Sequence, residues 1–204
     1  MKNDEHFWWT TLVRGFLALL VGSAIMVIPD MARSLLLLPI AITISILGLA
    51  VYGVLDSVLV FITSYMAVSA RARVALRLQG VVGITVGILL YRVFFNRVHL
   101  HWFLALVAVQ ALSTAAAEFT VARHAATHSL SNWNYAGSVV ALVFSGVYAY
   151  IAATLGENME PQRITWLVFG YLLAFGIAQS LTAARMLYAD RADILVKPQA
   201  PNAR

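Results

Sequence analysis

The amino-acid sequence predicts an all-α membrane protein with six transmembrane helices, arranged as three repeated helical hairpins. The composition is 61% hydrophobic and only 11% charged, whereas a soluble domain carries about 25% charged residues. Six apolar runs are each long enough to cross roughly 30 Å of hydrocarbon as a helix. A glycine recurs near the start of every second run, and a carboxylate or an amide recurs late in each run that follows it.

The six spans are justified in order by their apolar length, since each holds about 20 residues. Pro39 fits the first turn of the second span, where a missing N–H costs nothing. No run alternates as the strands of a membrane β-barrel do. The predicted spans cover residues 8–28, 39–64, 76–94, 100–122, 133–155 and 164–187.

The basic residues predict the orientation of these spans, because cytoplasmic loops of membrane proteins are enriched in Lys and Arg. Ten basic residues fall on the side that holds both termini, and four fall on the other side, which places both termini in the cytoplasm. Tryptophans near span starts and tyrosines near span ends indicate rings at the headgroup level. The ten basic residues on the side of the termini are Lys2, Arg14, Arg71, Arg73, Arg77, Arg123, Arg185, Arg191, Lys197 and Arg204.

The domain organisation follows from these spans. Residues 1–188 form one six-helix transmembrane domain, with hairpin repeats at about 7–65, 73–124 and 133–188. Residues 189–204 are polar and contain two prolines, and they are predicted to form a mostly disordered cytoplasmic tail. The N-terminal residues are acidic and run directly into the first span, so no cleaved signal peptide is expected.

The net charge of +5 does not indicate a nucleic-acid partner, because the basic residues lie between apolar runs and not along one face. The sequence contains no cysteine, no P-loop, no GxGxxG motif and no nucleophile elbow around a serine. We therefore expect no enzyme activity, no cofactor and no metal site. The expected partners are the lipid bilayer and either further copies of the chain or a larger membrane complex.

The internal repeat is visible in the first helix of each hairpin. Arg14–Gly15 and Gln79–Gly80 are each followed by a second glycine seven positions after the first, at Gly22 and Gly87. The third copy, residues 136–144, aligns Ala136 with the arginine and Gly137 with the glycine. The partner helices carry Asp56, Glu118 and Gln179 at intervals of about 60 residues.

The first hairpin resembles the HdeD family of bacterial inner-membrane proteins. The resemblance is carried by paired tryptophans, an Arg-Gly pair, a second glycine, a proline that closes the span, and a Tyr-Gly-x-x-Asp helix. It implies six helices in a threefold hairpin repeat and an association with acid resistance and stress response, but it implies little mechanism. The later copies depart from the pattern at Gln79, Ala136 and Gln179. The matching residues are Trp8, Trp9, Arg14, Gly15, Gly22, Pro29, Tyr52, Gly53 and Asp56.

Five polar residues are predicted to lie in one layer inside the membrane. With the assigned orientation, Arg14 and Asp56 lie roughly 9–12 Å from the cytoplasmic end of their helices, at 1.5 Å per residue. Glu118 and Gln179 lie at a similar depth, and Gln79 is slightly shallower. We expect Arg14 to pair with Asp56 in its own hairpin or with Glu118 across the bundle, since a guanidinium can satisfy two carboxylate oxygens. The alternative is that Arg14 extends to the headgroups.

Two functional interpretations of this layer remain open. It is either a hydrogen-bonded clasp that holds the hairpins together, or a proton or ion site in a channel or transporter for protons or small solutes. The first interpretation fits a non-enzymatic inner-membrane protein that acts in acid or stress tolerance, or as an accessory subunit. Small residues that permit close helix packing are predicted at Gly15, Gly22, Gly53, Gly80, Gly83, Gly87 and Gly137.

Overall fold

The computed structural model describes residues 8–34, 38–67, 69–95, 100–124, 128–154 and 161–196. Each of the six helices in these ranges contains a segment long and apolar enough to cross a membrane. The predicted all-α fold with six spans is therefore confirmed. The helices are α1 (Trp8–Ser34), α2 (Leu38–Met66), α3 (Ala70–Phe95), α4 (Leu100–Arg123), α5 (His128–Thr154) and α6 (Pro161–Val196).

The helices extend beyond the predicted spans, most clearly at α3 and α6. Helix α3 begins at Ala70, six residues before the predicted span, because five of these six residues are alanine or arginine, which favour the helix whether or not lipid surrounds them. Helix α6 continues to Val196, past residue 189, at which the predicted tail begins. That stretch contains neither glycine nor proline to end the helix. Residues 197–204 lie outside the described residues.

The helices form a closed ring in chain order. Each helix packs against the helices before and after it, and α1 also packs against α6. Neighbours run antiparallel: Gly15 lies against Ser180, while Gly22 lies against Leu172. The larger interfaces are α2–α3, α4–α5 and α6–α1, and they alternate with the smaller interfaces α1–α2, α3–α4 and α5–α6. The helices that follow one another within a predicted hairpin are therefore the less closely packed pairs.

Glycines create the close approach of α1 to α6. A Cβ atom at Gly15 would lie 2.9 Å from the carbonyl oxygen of Gly176 and 2.6 Å from Ser180 Oγ. A Cβ at Gly22 would lie 3.1 Å from Leu172 Cβ. Because the glycines have no side chain, the two backbones can approach closely and gain dispersion contacts along the interface.

The α2–α3 interface is built in the same way. A Cβ at Gly80 would lie 3.1 Å from the backbone oxygen of Ser57, and one at Gly87 would lie 2.6 Å from Val54 Cγ2. A Cβ at Gly83 would overlap the hydroxyl of Ser57. The three glycines of α3 thus hold the backbone of α2 at close distance.

Gly53 and Gly137 differ from the prediction that they serve helix packing. A Cβ at Gly53 would meet open space, because this residue is turned away from the packed face of α2. At Gly137 the nearest atom to a Cβ is Gln179 Nε2 at an ordinary 3.7 Å. The close contacts of α5 fall instead on Ser138 and Ser145, whose hydroxyls donate to the α4 carbonyl oxygens of Ala115 (2.8 Å) and Ala108 (2.9 Å).

The interior of the ring has a polar half and an apolar half. We call the end at which α1, α3 and α5 begin the basic end, because more of the exposed arginines whose side chains are described lie there than at the opposite end. They are Arg71, Arg73, Arg77, Arg123 and Arg185, against Arg92 and Arg163. Buried polar residues near this end include Thr10, Thr11, Ser64 and Thr182. Towards the opposite end the buried side chains are mainly aliphatic and aromatic: Ile25, Leu49, Leu90, Phe103, Leu104, Val107, Val168 and Leu172.

The outer surface of the ring is apolar. Large side chains such as Phe16, Leu78 and Val139 are more than half exposed, which suits contact with lipid and not with water. Exposed aromatic rings lie near the ends of the spans, where an aromatic belt is expected. They are Trp9, Trp102 and Trp166 near helix starts, and Tyr65, Tyr91, Tyr150 and Tyr188 near span ends. The side chain of Trp133 lies outside the described residues.

Candidate functional site: a buried ion-pair cluster

Arg14 lies at the centre of a polar cluster inside the ring. Thr10, Arg14, Ala18 and Ile25 recur at helical spacing, so they share the inner face of α1. Arg14 is only 4% exposed, so its guanidinium stays inside the bundle and does not extend to the headgroups. Helices α2 and α4 supply its polar partners, and α6 joins the cluster through a hydrogen bond to the α4 partner.

Asp56 of α2 is the closest partner of Arg14. The guanidinium Nε donates to Oδ1 at 2.7 Å, and Nη2 donates to Oδ2 at 3.4 Å. Each carboxylate oxygen thus receives one N–H of the guanidinium, which is the two-pronged geometry typical of an Arg–carboxylate pair. Asp56 is also 4% exposed, so water does not screen this pair.

Glu118 of α4 joins the same guanidinium from across the ring. Arg14 Nη1 donates to Glu118 Oε1 at 3.1 Å, and Gln179 Nε2 of α6 donates to the same oxygen at 2.9 Å. Arg14, Asp56, Glu118 and Gln179 therefore form one connected cluster that links α1, α2, α4 and α6. The structure brings together both carboxylates that the sequence offered as alternative partners.

Gln79 of α3 bonds to a residue that the sequence reasoning did not single out. Its Nε2 donates to Thr114 Oγ1 at 3.1 Å, and Thr114 Oγ1 donates to the backbone oxygen of Gln110 at 3.0 Å. Thr114 and Gln110 precede Glu118 by four and eight residues, so all three lie on one face of α4. This spacing of four residues is visible in the sequence and could have identified Thr114 and Gln110 as neighbours of Glu118.

Two amide oxygens beside the cluster lack hydrogen-bond donors. Among the described residues, Gln79 Oε1 and Gln110 Oε1 are buried and unpartnered. A buried acceptor without a donor costs free energy, and most such groups in folded proteins are satisfied. These two unpaired oxygens are therefore an unfavourable feature of the part of the interior that the structure describes.

Aromatic rings border the cluster on its apolar side. The Arg14 guanidinium carbon lies 5.7 Å from the centre of the Phe175 ring, within the range of a cation–π contact. Phe175 stacks on Tyr171, which contacts Tyr148 edge to face at 6.1 Å. The Tyr148 hydroxyl donates to the backbone oxygen of Leu167 at 3.0 Å. These rings separate the ion pairs from the opposite end of the bundle.

The geometry defines what the cluster can do chemically. The two carboxylates and the guanidinium are each at least 95% buried and bonded to one another, so neither acid is presented to a water-filled space. A groove of about 280 Å³ on the outer side of α2 and α3 is separate from this cluster and has an entirely apolar lining, including Leu47, Val51, Val54 and Ile88. Such a groove suits a lipid chain and not a polar substrate.

The fold and this cluster together define a multi-pass helical membrane protein with an ion-pair cluster inside its bundle. The chain matches no protein-family model, no curated protein and no solved structure.

Proposed function

We propose that the protein is a non-enzymatic, multi-pass protein of the bacterial inner membrane in which the ion-pair cluster is a structural clasp. Its role is that of an accessory component in acid or stress tolerance, as the resemblance of the first hairpin to the HdeD family implies. The observation that supports the clasp most directly is the sharing of one buried guanidinium between Asp56 and Glu118.

The distribution of polarity argues against the alternative, a proton or solute pathway. A pathway needs polar groups or water through the full thickness of the membrane. In the described part of the apolar half, Leu104, Val168 and Leu172 are at most 4% exposed. Two buried hydroxyls in this half, those of Ser145 and Tyr148, donate to backbone oxygens and are therefore already engaged.

The proposed architecture is a threefold repeat of hairpins. The first helix of each hairpin has five buried inner-face positions with the same spacing. They are positions 11, 14, 18, 22 and 25 of α1, 76, 79, 83, 87 and 90 of α3, and 134, 137, 141, 145 and 148 of α5. This common spacing supports the repeat. It also moves the alignment of the third copy by one residue relative to the alignment made from the sequence. Gly137, and not the exposed Ala136, then occupies the level of Arg14, with Ser138 and Ser145 in place of the glycines.

The second helices support the same repeat. Each second helix has four buried positions with the same spacing. They are positions 49, 52, 56 and 60 of α2, 111, 114, 118 and 122 of α4, and 172, 175, 179 and 183 of α6. Asp56, Glu118 and Gln179 thus occupy equivalent positions, and the larger interfaces lie between successive hairpins. One guanidinium that binds residues from two hairpins, with an amide from the third, suits a clasp at the centre of such an assembly.

The basic end is proposed to face the cytoplasm, with both termini on that side. A cysteine placed at Ser69, between α2 and α3, should react with a membrane-impermeant maleimide only when the cytoplasmic face is accessible. A cysteine at Thr154, near the opposite end, is the matched control and should react from the periplasm. The natural chain contains no cysteine, so the background is clean. Reversed labelling of the two sites would overturn this orientation.

The clasp and the pathway predict different results in liposomes that contain the purified protein. Under an imposed pH gradient, we expect proton flux no faster than in empty liposomes, because the acids are paired and dry. Cells that carry the protein should nonetheless survive an acid challenge better than cells that lack it.

Glu118→Gln is the matched variant for the flux measurement, because it keeps the shape of the side chain and removes its charge. Flux above background that disappears in Glu118→Gln would replace the clasp by a proton pathway. Equal acid survival with and without the protein would contradict the role in acid tolerance.

A further inference from the structure

We propose that the apolar groove between α2 and α3 binds an acyl chain of an anionic phospholipid, and that Arg92 binds the phosphate of the same lipid at the end of the groove near the membrane surface. The proposal goes beyond the clasp and does not depend on it, because the groove lies on the outer side of the ring, apart from the ion-pair cluster.

The groove exists because two small residues face each other across the α2–α3 interface. A Cβ at Gly87 would lie 3.1 Å from the backbone oxygen of Ala50, so the two backbones are close at this point. Both residues are buried, and they leave a hollow of about 280 Å³ between the larger side chains of the two helices. These larger side chains are exposed, so the groove opens towards lipid. They are Leu47, Val51 and Leu55 of α2, and Ile88 and Tyr91 of α3.

The position of the groove suits one acyl chain of one membrane leaflet. Leu47 lies at the edge of the apolar span of α2, which begins at Ile46. Leu55 lies about 12 Å deeper along the helix, at 1.5 Å per residue, and half of the hydrocarbon layer is about 15 Å thick. The lining is entirely apolar. A chain in this groove has protein on more than one side, and therefore gains dispersion contacts that a chain on a convex surface lacks.

Arg92 supplies a positive charge at the end of the groove near the membrane surface. It is the last residue of the α3 span and lies four positions after Ile88, so the two residues share one face of the helix. Its side chain is exposed, and within the described part of the chain no ion pair includes it. The exposed ring of Tyr91 lies beside it, at the level expected for lipid headgroups.

Charge complementarity therefore identifies the occupant of the groove. An acyl chain that lies in the groove brings the phosphate of its own lipid to the level of the Arg92 guanidinium, which matches phosphate oxygens in geometry and charge. A lipid with a net negative charge is attracted more strongly than a zwitterionic lipid, whose own cation offsets its phosphate.

Photo-crosslinking of the purified full chain in phosphatidylcholine vesicles tests the proposal. The probe is a small fraction of phosphatidylglycerol with a diazirine in the middle of one acyl chain, and mass spectrometry identifies the labelled residues. We expect severalfold more labelling at Val51 and Ile88 in the groove than at Leu142 and Val143 of α5, although all four are 51–57% exposed. Phosphatidylcholine with the same diazirine should label the groove about fivefold less, the preference expected from one arginine near a lipid surface.

Two variants with matched controls separate the acyl chain from the headgroup. Val51→Phe fills the groove and should abolish its excess labelling by both lipids, whereas Val139→Phe, at an exposed position of α5, should leave that labelling unchanged. Arg92→Gln should abolish the preference for phosphatidylglycerol in the groove, whereas Arg71→Gln, at the basic end, should keep it.

The wild-type chain decides the question even if a variant fails to fold. Equal labelling of the groove and of α5 would overturn the proposal. Weaker labelling of the groove than of α5 would also overturn it, because a second copy of the chain or another protein would then cover the groove. Equal labelling of the groove by the two lipids would contradict an anionic ligand. None of these results bears on the clasp, which the proton flux tests separately.

Discussion

Arg14→Met should be among the most destabilising single substitutions in this protein. It removes the guanidinium that both Asp56 and Glu118 accept from, and it leaves at least one buried carboxylate without a cation. Breaking a buried ion pair on one side typically costs about 3–5 kcal/mol, because the remaining charge is uncompensated. We expect a correspondingly large fall in the temperature of thermal aggregation in detergent.

Arg71→Met is the matched control for this experiment, because the same substitution is made at an exposed position of α3. It should change the aggregation temperature little. The double variant Arg14→Met/Asp56→Asn should recover much of the lost stability, since it removes the unpaired charge along with the cation. Equal aggregation temperatures for the two single variants would show that the buried pair does not stabilise the bundle.

Gly15→Ala is expected to have the second largest effect, although it adds only one methyl group. The new Cβ would lie 2.9 Å from two backbone atoms of α6, the carbonyl oxygen of Gly176 and the nitrogen of Ser180. Backbone atoms cannot rotate away as the end of a flexible side chain can, so α1 and α6 must separate. Overpacking of this kind costs about 1–3 kcal/mol, which thermal unfolding in detergent should detect.

The control is Gly53→Ala, where the same methyl group enters open space on α2. Alanine favours the helix over glycine by up to about 1 kcal/mol, so this variant should be neutral or slightly more stable. A loss of stability at Gly53 as large as that at Gly15 would mean that close approach of α1 and α6 is not what the glycine provides.

Several features were predictable because they depend on local chain properties. Apolar length alone identifies six spans, since each helix must satisfy its backbone hydrogen bonds while it crosses hydrocarbon. Arg14, Asp56 and Glu118 stand out because charged residues inside such spans are rare and need partners. Their common level followed from residue counts along straight helices, with a rise of 1.5 Å per residue.

Other features were missed because they depend on which side of a helix faces its neighbour. Comparison of the hairpin sequences aligned Gly137 with Gly15, whereas the buried positions support the proposed alignment of Gly137 with Arg14. Ser138, one residue later, makes the close contact with α4. A shift by one residue turns a helical side chain by about 100°, which a glycine-to-glycine alignment cannot detect. Gly53 was predicted to serve helix packing, because residue type and spacing do not show which side of the helix it lies on. In the structure it faces open space.

The class of protein, the number of spans and the charged residues within them were thus evident from the amino-acid sequence, because hydrophobicity and length act locally along the chain. The packing of the helices was needed to show that Arg14 binds Asp56 and Glu118 together, and that Gln179 completes the cluster. It also decided that α1 closes the ring against α6. These contacts join residues up to 165 positions apart, Gly15 and Ser180 among them. They depend on how six helix faces pack at once, and no single stretch of sequence contains that information.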